Sequence, residues 1–463
     1  MTSVAGSSAQ LSGRVVRRGE PGFPAASAGW NLFFSHDPAA VVYAQETQEV
    51  VDALSWARRN DVAVRVRSGG HCLEGWNNVD DGLVIDVSEM KSATVDTTTN
   101  TATVGAGLTQ MEAVTVLGQA GVVAPTGTEG TVGLVGATLG GGFGLLTRAF
   151  GMASDHLVAA EVVVPMGTDG AMAIVADETT NTDLLWALRG AGNGNFGIVT
   201  SLTYRVHPVT HMVYLTAAWT GLDELPAVFD TWQRWAPFTD ARLTTQLEIG
   251  PDGFQLVGAL VSGTVAEATQ LLTPLLVRGN PEVSTSDGEW AETYEAFQIP
   301  TADEPRNWKF TSQFVSEPYP AEAIDLIVAF LSKAPTPQCN YFTNAFGGVV
   351  VDGEPAGGAA FAHRHALFYA EPGAGWGGPR GEQATATVMP DPQTPRVLAW
   401  IAEFSAALAP YVDGAYVNVP NVGMPDWETA YWGAGVERLR AIKAKYDPHD
   451  VFHFEQSISS AGR

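Results

Sequence analysis

A glycine-rich segment constrains the fold of this chain more than any other sequence feature. Residues 125–151 read PTGTEGTVGLVGATLGGGFGLLTRAFG and hold nine glycines, with valines and leucines interleaved throughout. The apolar residues indicate packed backbone rather than a flexible low-complexity linker. Because glycine has no side chain, such a segment lets a bulky group lie directly against the main chain.

Composition and charge narrow the class of protein. The chain has 463 residues, of which 45% are hydrophobic, so disorder is excluded as the dominant state. At roughly 150 residues per domain, this length corresponds to two or three domains. The net charge of −25 repels phosphate backbones and anionic lipid surfaces. We therefore expect no nucleic-acid or membrane partner, and a soluble monomer or homodimer.

Cysteine usage and the start of the chain bear on the compartment. The two cysteines, Cys72 and Cys339, are too few for a disulfide framework or a cysteine-rich zinc site, and they fit a reducing environment. Residues 1–19 lack the apolar core of a signal peptide, and no run of 18 apolar residues occurs. We expect a cytoplasmic protein.

The first hundred residues alternate strand and helix patterns. Val41–Gln45 reads as a strand, and a helix follows that Thr47 can cap, with Glu49 in its first turn. Alternating valines over 62–66 predict a half-buried strand that runs into a loop at Arg67–Gly75. The runs GLVIDVSEM and TATVGAG predict two more strands. The pattern is that of an α+β fold.

The loop at Arg67–Gly75 contains a pattern suited to binding an anion. Consecutive glycines at Gly69 and Gly70 allow successive backbone N–H groups to face one anion, and His71 directly after them would lie beside that ligand. The alternative is a polar turn with an incidental histidine. Residue spacing leaves both interpretations open.

A second glycine pattern does not have the context of a dinucleotide-binding loop. The run Gly192–Gly197 spells GxGxxG, and the dinucleotide fingerprint requires a strand before it and a helix after it. Here a helix over Asp183–Arg189 precedes the run and a strand over Ile198–Val206 follows it. The sequence therefore does not predict a Rossmann loop at this position.

Histidine spacing does not indicate a metal site. Two pairs are close enough in sequence to share an ion, namely His363 with His365 and His449 with His453. Two histidines without an acidic or cysteine third ligand are more often structural than metal-binding. We interpret these histidines as structural and predict no metal.

Four segments together resemble one family. The run VRVRSGGHCLEG at Val64–Gly75 resembles the flavin loop of berberine-bridge-enzyme-like oxidases, in the vanillyl-alcohol-oxidase/PCMH flavoprotein superfamily. The resemblance continues through LGGGFGLLTRAFGMASDHL, LLWALRGAGNGNFGIVT and, at the C-terminus, YWGAGVERLRAIKAKYDPHDVFHFEQSI. Within the superfamily, the sequence is similar to bacterial 6-hydroxynicotine-type oxidases and to oxidases that tailor secondary metabolites.

The resemblance implies FAD as the cofactor, held by matching positions of this chain. The implied cofactor-binding residues are Arg67, Ser68, Gly69, Gly70, His71, Cys72, Gly75, Thr128, Gly133, Gly136, Gly140, Gly141, Gly197, Val199 and Asn418. His71 matches the histidine that bonds the 8α-carbon of the flavin. Glu129 stands where many relatives have a cysteine that forms a second link, so a second bond is excluded there. Cys72 does not match that thiol, and we interpret its side chain as packing.

The resemblance also suggests residues for oxygen access and for the chemistry. Val132 matches a position that gates oxygen, where a small side chain is associated with oxidases; a core valine is the alternative. Phe361–Arg364 resembles the family's FPHR motif, and Tyr369 and Glu371 follow it on one face of a predicted strand. Glu371 matches a position that is glutamate in the alkaloid oxidase. A buried carboxylate there would have a raised pKa, and a turn acid before Pro-Gly is the alternative.

A tyrosine completes the candidate catalytic set. Tyr416, in AYVNV, resembles the tyrosine of the family's YxNY motif, but Val419 replaces the second tyrosine of that motif. Phe143 likewise replaces a tyrosine of the plant alcohol oxidases. The resemblance therefore implies a polar set of Glu371, Tyr369 and Tyr416. We interpret Trp376 and Trp432 as core residues.

These features predict an α+β protein with a two-part PCMH-type FAD-binding domain at 1–205, completed by 411–463. A substrate domain at 206–410 should be an antiparallel sheet backed by helices. The implied reaction transfers a hydride from a small organic substrate (an alcohol, an amine or a secondary metabolite) to flavin N5, and oxygen reoxidises the flavin to give hydrogen peroxide. The alternatives are a flavin dehydrogenase with another acceptor and a non-catalytic ligand-binding flavoprotein.

Overall fold

The computed structural model describes residues 11–209, 211–298, 307–377 and 391–460. Residues 1–10, part of the start that we interpret as lacking a signal peptide, lie outside the described residues. Two hydrophobic cores organise the described part. One is built from residues of 40–206 together with 360 and 415–458, and the other from residues of 213–408. The predicted combination of helices with antiparallel sheets is confirmed.

A small mixed sheet opens the fold. Its elements are β1 (Arg14–Arg17), α1 (Phe23–Ser27), β2 (Ala40–Tyr43), α2 (Thr47–Arg59), β3 (Val64–Arg67) and β4 (Leu83–Asp86). The strand order is β1-β2-β4-β3, with β4 parallel to both β2 and β3. Parallel pairing needs a crossover, and α2 supplies it between β2 and β3. The chain therefore leaves β3 at the sheet edge, where the glycine loop begins.

The start of α2 corrects one prediction. Thr47 does not cap the helix; it is the first helical residue, and its hydroxyl bonds Glu161. The N-cap is Glu46, which forms a capping box with Glu49. The threonine side chain is used in a contact with a distant strand instead. Glu49 lies in the first turn, as predicted.

A five-stranded antiparallel sheet follows, in the order β5-β6-β10-β8-β9. This part of the chain contains β5 (Ala93–Asp96), β6 (Thr101–Gly105), α3 (Gln110–Gln119), β7 (Val122–Val123), α4 (Leu134–Leu139), α5 (Thr147–Phe150), β8 (Leu157–Met166), β9 (Gly170–Asp177), α6 (Thr182–Leu188) and β10 (Ile198–Arg205). The Gly192–Gly197 run joins α6 to β10, so the rejected Rossmann context is confirmed: a helix precedes the run and a strand follows it.

The second core lies on an eight-stranded antiparallel sheet of order β15-β12-β14-β13-β18-β19-β16, with β17 also paired to β19. Its region contains β11 (His207–Pro208), β12 (Met212–Thr220), α7 (Leu225–Trp235), β13 (Leu243–Gly250), β14 (Gly253–Val261), α8 (Val265–Leu276), β15 (Glu282–Gly288), α9 (Trp290–Ala296), β16 (Asn307–Phe310), β17 (Gln313–Val315), α10 (Ala321–Leu331), β18 (Asn340–Ala345), α11 (Val349–Asp352), β19 (Phe368–Trp376) and α12 (Thr394–Leu408). Apolar residues of α7, α8, α10 and α12 cover one sheet face.

The C-terminal helices return to the first core. They are α13 (Trp427–Trp432) and α14 (Val436–Tyr446). Lys443 of α14 is fully buried and donates to the backbone oxygen of Asn195 over 2.8 Å. Trp432 is buried in the first core, and Trp376 in the second, as predicted for core residues. No helix of the described ranges is long and apolar enough to span a membrane.

Candidate active site

A cavity of about 260 Å³ lies against the first core and is lined by residues of five stretches of chain, 64–77, 132–139, 192–199, 417–420 and 452–456, together with Val87 and Tyr431. Eleven residues that the resemblance implies for cofactor binding line it: Arg67, Ser68, Gly69, Gly70, His71, Cys72, Gly133, Gly136, Gly197, Val199 and Asn418. Val132 lines the same cavity. The structure therefore brings together loops that are more than 300 residues apart in sequence.

Two glycine loops form one wall of the cavity by touching through their backbones. A Cβ atom on Gly69 would lie 2.3 Å from the backbone nitrogen of Gly133, and one on Gly133 would lie 2.7 Å from the nitrogen of Gly69. Only glycine permits this approach. The first loop is anchored where it leaves β3, because Arg67 forms a buried ion pair of 2.6 Å with Asp86 at the end of β4.

The polar groups of the cavity suit a ligand with both anionic and hydrogen-bonding parts. Asn193 donates to Gly136 O (2.9 Å) and to Asn418 Oδ1 (2.8 Å), while its own buried Oδ1 has no partner among the described residues. Arg65 also lines the cavity, and its buried Nε is likewise unpartnered within the described ranges. A nucleotide cofactor has a pyrophosphate that can pair with the Arg65 guanidinium and hydrogen-bond donors that can reach the amide oxygen of Asn193. These residues therefore fit FAD.

His71 lies in a restricted setting at this cavity. Its ring stacks on Trp30, with centroids 5.0 Å apart, and its Nε2 lies 3.1 Å from the hydroxyl of Thr131. Burial lowers the pKa of His71 to about 4, so the imidazole is neutral at physiological pH. Burial also raises the pKa of the Cys72 thiol, which disfavours thiolate chemistry at that residue.

Four implied cofactor residues lie outside the lining of this cavity. Thr128 accepts a hydrogen bond from Gln246 in β13 over 3.0 Å. Gly140 lies against the side chain of Asn418, and the other two, Gly75 and Gly141, lie against Phe34 and Phe361. Their role toward a cofactor stays a prediction.

Tyr369 and Glu371 lie on the same face of β19, as predicted. Phe368 and Ala370, which alternate with them along the strand, belong to the helix-covered core. The side chains of Tyr369 and Glu371 therefore point to the opposite face of the sheet. The Tyr369 hydroxyl donates to Glu371 Oε2 over 2.5 Å. Desolvation raises the pKa of Glu371 to about 7, and the hydrogen bond from Tyr369 opposes that shift. A carboxylate with this pKa can take up and release a proton near neutral pH.

The alternative interpretation of Glu371 as a turn acid before Pro-Gly is wrong. Pro372 and Gly373 lie inside β19, which continues to Trp376. The neighbouring edge is divided there, because β16 pairs as far as Gly373 and β17 begins its pairing at Ala370. A proline lacks the N–H that a continuous ladder needs, and this interruption accommodates it. Glu371 is therefore a mid-strand residue rather than a turn acid.

Tyr416 connects the β19 pair to the cavity. Its hydroxyl accepts from Asn418 Nδ2 over 2.7 Å and from the Gly142 N–H over 2.9 Å, and burial raises its pKa. The Tyr416 ring contacts Tyr369, with centroids 5.6 Å apart, and Phe143 packs on both tyrosines. The three candidate catalytic residues form one cluster; none of them lines the cavity, and the cluster reaches it through Asn418.

His363, from the first histidine pair, has structural contacts. His363 stacks on Phe314, with centroids 4.2 Å apart, and its Nε2 lies 3.1 Å from the backbone oxygen of Tyr431. The described ranges hold no group of three or more histidine, cysteine or acidic residues arranged for a metal ion.

Sequence reasoning missed several residues at this site. Trp30 and Thr131 contact His71, and Arg65 and Asn193 line the cavity. The C-terminal lining residues were also missed: Phe452, His453, Phe454 and Gln456. A usable signal existed for Asn193, because it lies within the Gly192–Gly197 run, which lines the cavity although it is not a Rossmann loop.

Comparison with known proteins agrees with this architecture. Residues 38–168 match the FAD binding domain family, and residues 415–459 match the berberine and berberine-like family. The chain is 38% identical over 454 residues to a Bacillus subtilis (strain 168) protein named as an uncharacterized FAD-linked oxidoreductase, YgaK, and covers 97% of each chain. It is 28% identical to the aclacinomycin-N/aclacinomycin-A oxidase of Streptomyces galilaeus over 94% of this chain and 87% of that one.

A solved structure shares the whole fold. Wild-type BBE-like 1 of Physcomitrella patens superimposes with a TM-score of 0.89, at 25% identity and over 98% of each chain. Its match covers the residues of both cores and of the cavity lining. With the near-complete alignment to YgaK, this places the chain in a family: it belongs to the berberine-like FAD-linked oxidoreductases, and it is an enzyme.

Proposed function

We propose that this oxidoreductase is an oxidase that carries FAD attached through His71 alone and removes a hydride and a proton from a small organic substrate. The observation that carries the proposal is the continuous set of contacts from the cavity to a carboxylate. Asn418 lines the cavity and bonds Tyr416, Tyr416 packs on Tyr369, and Tyr369 bonds Glu371. A proton acceptor is thus connected, through Asn418, Tyr416 and Tyr369, to the space that fits the cofactor.

Each residue has a distinct role in this proposal. The glycine loops at Gly69 and Gly133, with Arg65 and Asn193, would hold FAD, and His71 would bond it. Bound FAD would accept two electrons at N5, and oxygen would reoxidise it with release of hydrogen peroxide. Glu371 takes the proton from the O–H or N–H beside the C–H that is oxidised. Tyr369 donates to that carboxylate and holds its orientation.

We also propose the division of the chain. The FAD-binding domain would span 1–205 and be completed by 411–463, with the substrate domain at 206–410. The composition of the two hydrophobic cores supports this division, because the first draws on both ends of the chain and the second on its middle.

The reaction is tested by mixing the purified protein anaerobically with alcohols, amines, sugars and phenols, and following loss of flavin absorbance. A substrate should bleach the flavin, and admission of air should restore the colour with one hydrogen peroxide per flavin. Bleaching followed by slow recovery in air would instead indicate a dehydrogenase. No bleaching by any compound class would contradict the proposal.

The covalent attachment is tested separately. Acid-precipitated protein should retain flavin fluorescence, and His71→Ala should release its flavin on the same treatment. His453→Ala is the matched control, since His453 lines the same cavity and should leave the link intact. Release of flavin from the parent protein would overturn the linkage. A second protein–flavin bond in peptide mass spectra would contradict the exclusion of one at Glu129.

A further inference from the structure

We propose that Glu129 and Thr131 form a proton relay that directs the Nδ1 atom of His71 to the cofactor and removes the Nε2 proton during covalent attachment. This inference rests on the attachment proposed above. It gives Glu129, which occupies the position of the cysteine in many relatives, a positioning role in forming the one remaining link.

The relay is visible as a chain of hydrogen bonds. The Thr131 hydroxyl lies 2.9 Å from Glu129 Oε1 and 3.1 Å from His71 Nε2. The same Glu129 oxygen accepts the Thr131 backbone N–H over 3.1 Å. The carboxylate therefore accepts two hydrogen bonds from Thr131, one from its backbone and one from its side chain, and holds the hydroxyl beside the histidine.

The loop that carries the relay is held from both sides. Gln110 of α3 donates to the Glu129 backbone oxygen over 3.0 Å. Gln298 donates to the Thr128 oxygen over 3.0 Å and accepts the Gly130 N–H over 2.7 Å. These bonds fix the backbone on each side of Glu129, so the relay geometry does not depend on the side chains alone.

The hydrogen-bond directions determine the histidine tautomer. An ionised carboxylate only accepts hydrogen bonds, and a threonine hydroxyl has a single hydrogen to donate. That hydrogen goes to Glu129, so the Thr131 oxygen must accept from His71, and the proton of the neutral imidazole lies on Nε2. Nδ1 then carries the free lone pair. Stacking on Trp30 limits the ring's orientation, and His71 lines the cavity.

The attachment step balances with this assignment. The 8-methyl group of the flavin would lose one proton to water, and the Nδ1 lone pair of His71 would form the new N–C bond at that carbon. The ring system would gain the electron pair released from the C–H bond and so be reduced, and molecular oxygen would reoxidise it to give hydrogen peroxide. The alkylated imidazole is a cation until Nε2 loses its proton. The Thr131 hydroxyl oxygen accepts that proton while its own hydrogen passes to Glu129. Because Thr131 is exposed, the proton can then leave this site to solvent.

The test measures the rate of covalent attachment in variants of the full chain. Protein purified from riboflavin-limited cells is incubated in air with excess FAD, and the flavin that stays with acid-precipitated protein is followed over time. Thr131→Val keeps the shape of the side chain and removes the hydroxyl. Because water can replace part of the hydroxyl's function, we expect covalent attachment to slow by about tenfold or more, which is less than the ~10²–10⁴-fold that a full acid–base group contributes. Thr131→Ser should restore the rate.

The second variant separates charge from geometry. Glu129→Gln keeps an oxygen that can accept from Thr131 but cannot take a full proton, so attachment should slow while non-covalent FAD binding persists. The histidyl-flavin from digested parent protein should be substituted at Nδ1. Parent-like rates in both Thr131→Val and Glu129→Gln, or substitution at Nε2, would overturn the relay. Absence of covalent flavin in the parent protein would instead overturn the proposed linkage itself.

Discussion

At the scale of single residues, the carboxylate of Glu371 combines burial with one hydrogen-bond donor, which suits a general base. Glu371→Gln keeps the shape and the acceptor for Tyr369 but removes proton affinity. General-base catalysis contributes ~10²–10⁴-fold, so substrate reduction of the flavin should slow by that order. In the parent, the rate of flavin reduction should fall as pH drops below about 7, where Glu371 becomes protonated. This acidic limb of the pH–rate profile should be absent in the variant.

Stability provides the control for this substitution. The folded protein binds the Glu371 proton more tightly than the unfolded chain, whose carboxyl titrates near 4.5, so ionisation lowers stability as pH rises from 4.5 to about 7. The glutamine variant should therefore have a higher melting temperature than the parent above pH 7, but not near pH 4.5.

Glu248 provides a second control, because it lies on the same sheet face and its pKa is also raised by burial. In Glu248→Gln, substrate should reduce the flavin at a rate of the same order of magnitude as in the parent. An intact acidic limb in Glu371→Gln would move the role to Tyr369 or Tyr416.

Val132 is the second position where one side chain decides a property. It lines the cavity beside the Gly69–Gly133 contact, and a larger side chain there should obstruct oxygen rather than substrate. We expect Val132→Ile to slow reoxidation in stopped-flow mixing with air while anaerobic reduction changes little. Val135→Ile is the matched control on the same cavity. Equal loss of both half-reactions in Val132→Ile would assign the position to packing.

At the scale of elements, α14 holds the C-terminal segment against the cavity through the buried ammonium of Lys443, which pairs with Asp447 over 2.7 Å and with Asp450 over 3.4 Å. Lys443 and Asp447 are fully buried and 2.7 Å apart, and Asp447 also accepts the N–H groups of Val451 and Phe452. Lys443→Met leaves Asp447 buried without its cation, which should lower the free energy of unfolding by about 3–5 kcal/mol. Denaturant titration with tryptophan fluorescence measures this change.

The same helix supplies the matched control. Lys445 pairs with Asp183 over 2.7 Å, but its side chain is 54% exposed. Lys445→Met should therefore cost no more than about 1 kcal/mol. Similar losses in both lysine variants would show that the buried pair has no special role.

At the scale of the whole molecule, Arg148 of α5 joins the two halves of the structure. Its buried guanidinium donates to backbone oxygens of the 237–243 segment and to that of Phe346. Burial lowers its pKa to about 10, so it stays cationic at neutral pH. Each buried carbonyl left without a donor costs about 1–3 kcal/mol, so Arg148→Met should destabilise the protein by more than about 3 kcal/mol.

The unfolding profile reports whether this arginine couples the halves. We expect one cooperative transition in the parent and two separated transitions in Arg148→Met, detected by flavin and tryptophan fluorescence. Arg234→Met, which removes an exposed pair with Asp230, should unfold like the parent. A single unshifted transition in Arg148→Met would contradict the coupling role.

The sequence by itself determined the features that depend on local pattern. The 3.6-residue period of α2, the strand leading into Gly69, the shared face of Tyr369 and Glu371, and the helix-before-strand context of Gly192–Gly197 all follow from neighbours in sequence. The family resemblance added the roles of the histidine and the glycine loops toward FAD and singled out the tyrosine, and most of these residues line or adjoin one cavity.

Only the tertiary structure decided how distant groups meet. Tyr416 bonds the backbone of Gly142, which lies 274 residues away, and the Thr131–His71 contact joins two loops 60 residues apart. No local period encodes such contacts, because they depend on how sheets and loops pack. The same reason explains the two errors. The Thr47 hydroxyl bonds Glu161 of a distant strand instead of capping α2, and Pro372 lies inside β19 because the neighbouring edge is interrupted there.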